Sequence, residues 1–242
     1  MYFWKCWRDS RTRFIFFLSV ATVCCVLFTI MAADFHRGGP ASGALHLWSD
    51  VAEGVLGMFC SIIALFAALS LAVQSIGQEF KEQTLGFLLT RPRRRRYWIW
   101  RCWFTGVCEL FGVILLAVAA TFMALSFLSG YVYTWRLLAT ILPLFVGASA
   151  VYSLTYFLTV LARSGEQGVS YGMGILVLDL FLPVAAHYWH VHLSSVGSFI
   201  LAGCVWAARP KLAFPLGQLA IYAAVALAFP LAAQLVLERA EA

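Results

Sequence analysis

Charge is scarce in this 242-residue sequence: Asp, Glu, Lys and Arg make up 12% of it, against 62% hydrophobic residues. The apolar residues gather in runs of about twenty, the length at which a helix crosses the hydrocarbon layer of a bilayer, and a water-soluble fold is thereby excluded. Missing too are the GxxxxGK[ST] loop that cradles nucleotide phosphates and the GxSxG, HExxH, CxxC and GxGxxG patterns in the settings their chemistry needs. No disulfide framework is written in the seven cysteines. Cys24, Cys25, Cys60, Cys102, Cys108 and Cys204 lie in or near apolar runs, Cys6 lies in the basic N-terminal stretch, and all read as small buried hydrophobes.

What is present is an all-α polytopic membrane protein. Run length predicts a single transmembrane domain with six spans at about 14–33, 51–76, 102–128, 137–162, 169–187 and 212–237. No small-residue cleavage site follows the first run, so it reads as a retained span. Ahead of it, residues 1–13 alternate aromatics with cations and read as an interfacial helix. The run Val196 to Ala208 is too short to cross and reads as a re-entrant segment on the outer side.

Thirteen of the seventeen basic residues fall on one side of this layout: Lys5, Arg8, Arg11, Arg13, Lys81, Arg91, Arg93, Arg94, Arg95, Arg96, Arg101, Arg163 and Arg239. By the positive-inside rule that side is cytoplasmic, which places both termini inside a cell (inner) plasma membrane. Trp48, Tyr131, Tyr133, Trp135, Tyr188 and Trp189 mark an outer aromatic belt; Trp98, Trp100 and Trp103 mark an inner one. Pro143 and Pro230 are expected to kink their spans. Gly168 and Gly172, four residues apart, invite close approach by another helix, of the same chain ahead of a second copy.

Carboxylates at membrane depth are costly and must face a bundle interior, a partner or a polar path. Three qualify. Asp179 either lines a substrate path or hydrogen-bonds a neighbouring helix; Glu109 either lies inside the bundle or answers Arg101 or Arg96 from the inner headgroup zone; Glu53 either lines a path or faces the outer surface. His36, His46, His187, His190 and His192 all fall on the outer side. The spacing of the last three does not put them on one helical face, so no metal site is expected. The arginines Arg93, Arg94, Arg95, Arg96 and Arg101 are accounted for by topology and anionic lipid rather than by nucleic acid.

The segment "GQEFKEQTLGFLLTRPRRRRYW", Gly77 to Trp98, remains. From Gln78 to Leu89 a helix would place Phe80, Thr84, Phe87 and Leu88 on one face, with Glu79, Glu82 and Gln83 mostly off it. Thr90-Arg91-Pro92 closes it, because the residue before proline is pushed out of helical geometry.

Here the sequence resembles the permease subunits of ABC-2-type exporters. Glu79 or Glu82 matches the acidic residue of that family's first cytoplasmic loop, Thr84 and Leu85 its Thr-Leu, Leu88 and Leu89 its leucine pair, Pro92 its proline, Arg93 to Arg96 its basic cluster and Arg101 its later base. Gln83 stands where glycine often precedes threonine, and the arginine run is unusually dense. The resemblance implies that 78–89 is a coupling helix, with Glu79, Phe80, Glu82, Thr84, Leu85, Phe87 and Leu88 contacting a cytoplasmic ABC ATPase present in two copies. It also implies a second permease copy, as homodimer or related heterodimer, and no enzymatic activity in this chain, with ATP and Mg on the ATPase. A six-span enzyme or sensor built on Asp179 and the outer histidines is the alternative.

Overall fold

The computed structural model describes residues 2–36, 60–81, 95–129, 136–188, 195–208 and 214–239. They form seven helices: α1 (Tyr2–His36), α2 (Ser61–Lys81), α3 (Arg95–Ser129), α4 (Arg136–Ala162), α5 (Gly165–Tyr188), α6 (Val196–Ala208) and α7 (Leu216–Arg239), with no strand among the described residues. Helix is the expected outcome, because a segment in hydrocarbon must satisfy every backbone N–H and C=O internally. Apolar stretches long enough to cross a membrane lie in four of them: Phe14–Met31 of α1, Tyr97–Ala124 of α3, Ala139–Ala162 of α4 and Leu216–Arg239 of α7. The chain is therefore a helical membrane protein.

Two boundaries differ from expectation. Residues 2–13 do not form a separate interfacial helix but the first part of an unbroken α1. Neither glycine nor proline occurs between Tyr2 and His36, so nothing interrupts the ladder. At about 1.5 Å per residue, α1 is roughly 52 Å long, well beyond the hydrocarbon thickness. Likewise α2 runs on through Gln78, Glu79, Phe80 and Lys81, so no new helix starts at Gln78. Among the described residues, length and composition mark four spans rather than six: α2 is apolar over the shorter stretch Ser61–Val73, and α5 is not among the four.

Contacts fix how the helices run. Trp103 meets Ser153, Tyr156 meets Ile99 and Phe111 meets Phe145, so α3 and α4 are antiparallel. Gly168 faces Thr159 while Gly172 faces Thr155, which makes α4 and α5 antiparallel as well. Gly77 lies beside Gly165 and Leu69 beside Gly172, so α2 opposes α5 and runs with α4. The result is a serpentine bundle. Helix α4 is its axis, packing against α2, α3, α5, α6 and α7, and its Tyr152 and Tyr156 are among the largest fully buried side chains. Pro143 and Pro230 lie inside continuous helices.

Candidate functional site

At the end of the bundle where α2 finishes and α3 begins, polar side chains join three helices. The Trp103 indole Nε1 donates to Ser153 Oγ (2.8 Å), and the Tyr156 hydroxyl donates to the Ile99 carbonyl (3.1 Å). Further out, Trp100 Nε1 donates to Gln234 Oε1 (3.2 Å), whose amide donates to Glu238 Oε1 (2.8 Å), tying α3 to α7. Between α3 and α4, Tyr152 lies so close to Gly106 that a Cβ there would overlap its hydroxyl. Lipid offers these groups no alternative partner, so each bond between helices holds the pair in register. Tyr156→Phe is expected to lower stability by about 1 kcal/mol, read as a lower thermal midpoint in detergent, because the bond to Ile99 is lost.

Beside this seam, α2, α4 and α5 meet on glycine. A Cβ on Gly77 would lie 2.8 Å from the Gly165 Cα, so the two backbones touch. The α4–α5 turn that presents Gly165 is tight: Arg163 adopts φ 51°, a left-handed conformation uncommon for a long side chain, and the Ser164 carbonyl accepts from Gly168 N at 3.0 Å. Arg163 and Glu166 are both exposed. The helix that leads into the 78–89 segment thus leaves the bundle directly against the α4–α5 turn.

The opposite half of the bundle holds α6. A Cβ on Gly147 would lie 2.7 Å from Ile200 Cγ1, and one on Gly203 would overlap the Pro143 ring, so α6 starts at the depth of Gly147 and runs outward past Pro143. Its 13 residues span about 20 Å, and its first turn is partly buried, with Ser195 and Phe199 enclosed. Such an end leaves orphan amides. Two side chains satisfy them: both Asp179 carboxylate oxygens accept from Val196 N (3.0 and 3.2 Å), and Ser195 Oγ accepts from Ser198 N (3.0 Å). A carboxylate at a helix N-terminus also opposes the positive end of the helix dipole.

Of the residues singled out from sequence, Asp179 is half-buried and bonds a neighbouring helix, α6, as one of its two readings expects. Glu109 is 5% exposed on the packed side of α3, so it is a bundle-interior group. Arg101 lies two turns back, about 12 Å along the axis, and engages Tyr97 instead, by hydrogen bond (3.2 Å) and over its ring (5.7 Å). Trp103 is buried against α4 through its bond to Ser153. Glu79 and Phe80 belong to the last turn of α2, and Arg95 and Arg96 open α3. Glu53, Glu82, Thr84, Leu85, Phe87, Leu88, Arg93 and Arg94 lie outside the described residues, as do His46, His190 and His192. Among the described residues, no cluster of three His, Cys, Asp or Glu is placed to hold a metal ion.

Sequence reasoning missed Gly106, Gly147 and Gly203, each isolated in an apolar run. It also missed the α6 cap, although serine ahead of an apolar run is the usual sign of one.

A serpentine helical bundle with a polar seam at one end and a capped half-helix at the other defines a polytopic membrane protein. Residues 16–182 match the model of a family described as "Protein of unknown function (DUF2705)", and the chain belongs to that family. The match covers α1 from Phe16 to most of α5, including Asp179. No curated protein and no solved structure matches.

Proposed function

We propose that this chain is the membrane-spanning subunit of an ATP-driven exporter of the ABC-2 permease kind, and that a separate cytoplasmic ATPase moves it through the segment that begins at Gln78. The carrying observation is the backbone contact between Gly77 and Gly165. Segment 78–89 continues from α2, and where α2 leaves the bundle it bears directly on the α4–α5 turn. A push on the segment therefore reaches α5, and through Gly168 and Gly172 the central α4, without an intervening flexible side chain.

The remaining features fit. In this reading α2 and α5 complete six crossings, α2 packed against α1, α3, α4 and α5, and α5 packed against α2 and α4. Helix α6 is a re-entrant element on the outer side, and both termini lie in the cytoplasm of a cell whose plasma membrane holds the chain, by the excess of Lys and Arg there. Two permease copies and two ATPase copies make up the assembly, with ATP and Mg held by the ATPases. The bond of Asp179 to α6 supports this reading over an enzyme or sensor built on that carboxylate.

The test is affinity purification of the full chain from solubilised membranes. An ATP-hydrolysing soluble subunit is expected to co-purify with the native chain and to be lost, by tenfold or more, with Phe80→Asp and Phe87→Asp combined, while the chain itself still accumulates in the membrane. Absence of such a subunit from the native preparation, or its retention by the double variant, overturns the reading.

A further inference from the structure

Helix α6 is attached to its neighbours in two physically different ways. Ile200 against Gly147, Gly203 against Pro143, and Phe199 stacked on Tyr222 with centroids 4.8 Å apart are contacts between apolar surfaces. In a membrane, lipid chains can cover such surfaces almost as well as protein does. The Val196 amide is different. Pulled away from Asp179 within the bundle it has no water to replace the carboxylate, and Asp179 would be left as a carboxylate at membrane depth.

Helix α5 begins with Gly165, pressed on Gly77, and carries this bond fourteen residues further on, about 21 Å along the axis. One rod therefore touches both the exit of α2 and the seat of α6.

We propose that α6 is a movable element seated at one end of the bundle, and that Asp179 is the latch that holds its partly buried N-terminus in place. Displacement of α5 withdraws the carboxylate from Val196, and α6 leaves its seat as a unit. That an ATPase supplies the displacement rests on the function proposed above; the latch itself does not, and it is read in the chain alone.

Cys204 is a native reporter, on α6 and fully buried, while Cys102, buried on α3 toward the other end of the bundle, serves as the control. Native, Asp179→Asn and Asp179→Ala chains in membrane vesicles are exposed to N-ethylmaleimide, which permeates bilayers, and modification of each cysteine is followed over time by mass spectrometry. Asp179→Ala should accelerate Cys204 tenfold or more with Cys102 unchanged, and Asp179→Asn, which keeps one acceptor oxygen and the shape of the side chain, should fall between. Unchanged Cys204 reactivity in both variants overturns the proposal. So does parallel acceleration at Cys204 and Cys102, which would make Asp179 a support of the whole bundle. If Asp179→Ala does not accumulate, Asp179→Asn against native carries the same comparison. A failed ATPase co-purification leaves these rates, and hence the latch, untouched.

Discussion

Gly168→Ala is expected to destabilise the protein by about 3 kcal/mol, the upper part of the usual range for overpacking a filled interior. The added methyl would overlap Thr159 Oγ1 and lie 2.7 Å from the Thr159 Cα. A side-chain end can turn aside, but a Cα in the middle of α4 cannot. Helix α5 must shift instead, which also strains the packing of Gly172 on Thr155 one turn on. The same substitution at Gly174 meets nothing within 4 Å. There only helix propensity acts, and alanine should stabilise by up to about 1 kcal/mol. Thermal unfolding in detergent, read as the monodisperse fraction surviving each temperature, checks both. Equal effects at the two sites would mean that α5 does not approach α4 through Gly168.

The second large effect is at Tyr152. Its ring is fully buried, stacks on Tyr156 with centroids 6.2 Å apart, and fills the notch at Gly106. Tyr152→Ala should cost about 3 kcal/mol, the lower end for loss of a large aromatic, since lipid-exposed reference states reduce the transfer part but not the lost contacts. The informative experiment is a double-mutant cycle. Gly106→Ala alone adds a methyl where Tyr152 already sits, and is expected to cost about 2 kcal/mol. Made in the Tyr152→Ala background, the same change enters a vacated space and should cost nothing or gain up to about 1 kcal/mol. Additive effects would show that the two positions do not share that space.

Both effects concern glycines, and they mark where sequence reading succeeded and where it stopped. Gly168 and Gly172 were legible because four-residue spacing is itself a packing signal, and they do pack on a helix of the same chain. Gly106 has no such companion; only the partner helix, with a tyrosine at the matching level, gives it a role. Asp179 could be recognised as costly at its depth, but whether it lined a path or bonded a helix depended on Val196, seventeen residues away through a change of direction. Glu109 and Arg101 looked close in sequence, yet two helical turns separate them. The interfacial helix failed for a simpler reason: amphipathic composition in residues 1–13 says what the segment prefers to touch, not where a helix without breakers will end.

From apolar run length, scarce charge and the placement of Lys and Arg alone, the chain is a helical membrane protein, because those quantities measure transfer between water and hydrocarbon residue by residue. Which helix stands at the centre, which glycines are notches, and that Asp179 caps the partly buried end of α6 follow only from the folded bundle. Once segments are in hydrocarbon, transfer energy no longer distinguishes one apolar face from another. The arrangement is then decided by close packing and by a few polar bonds between residues far apart in the chain.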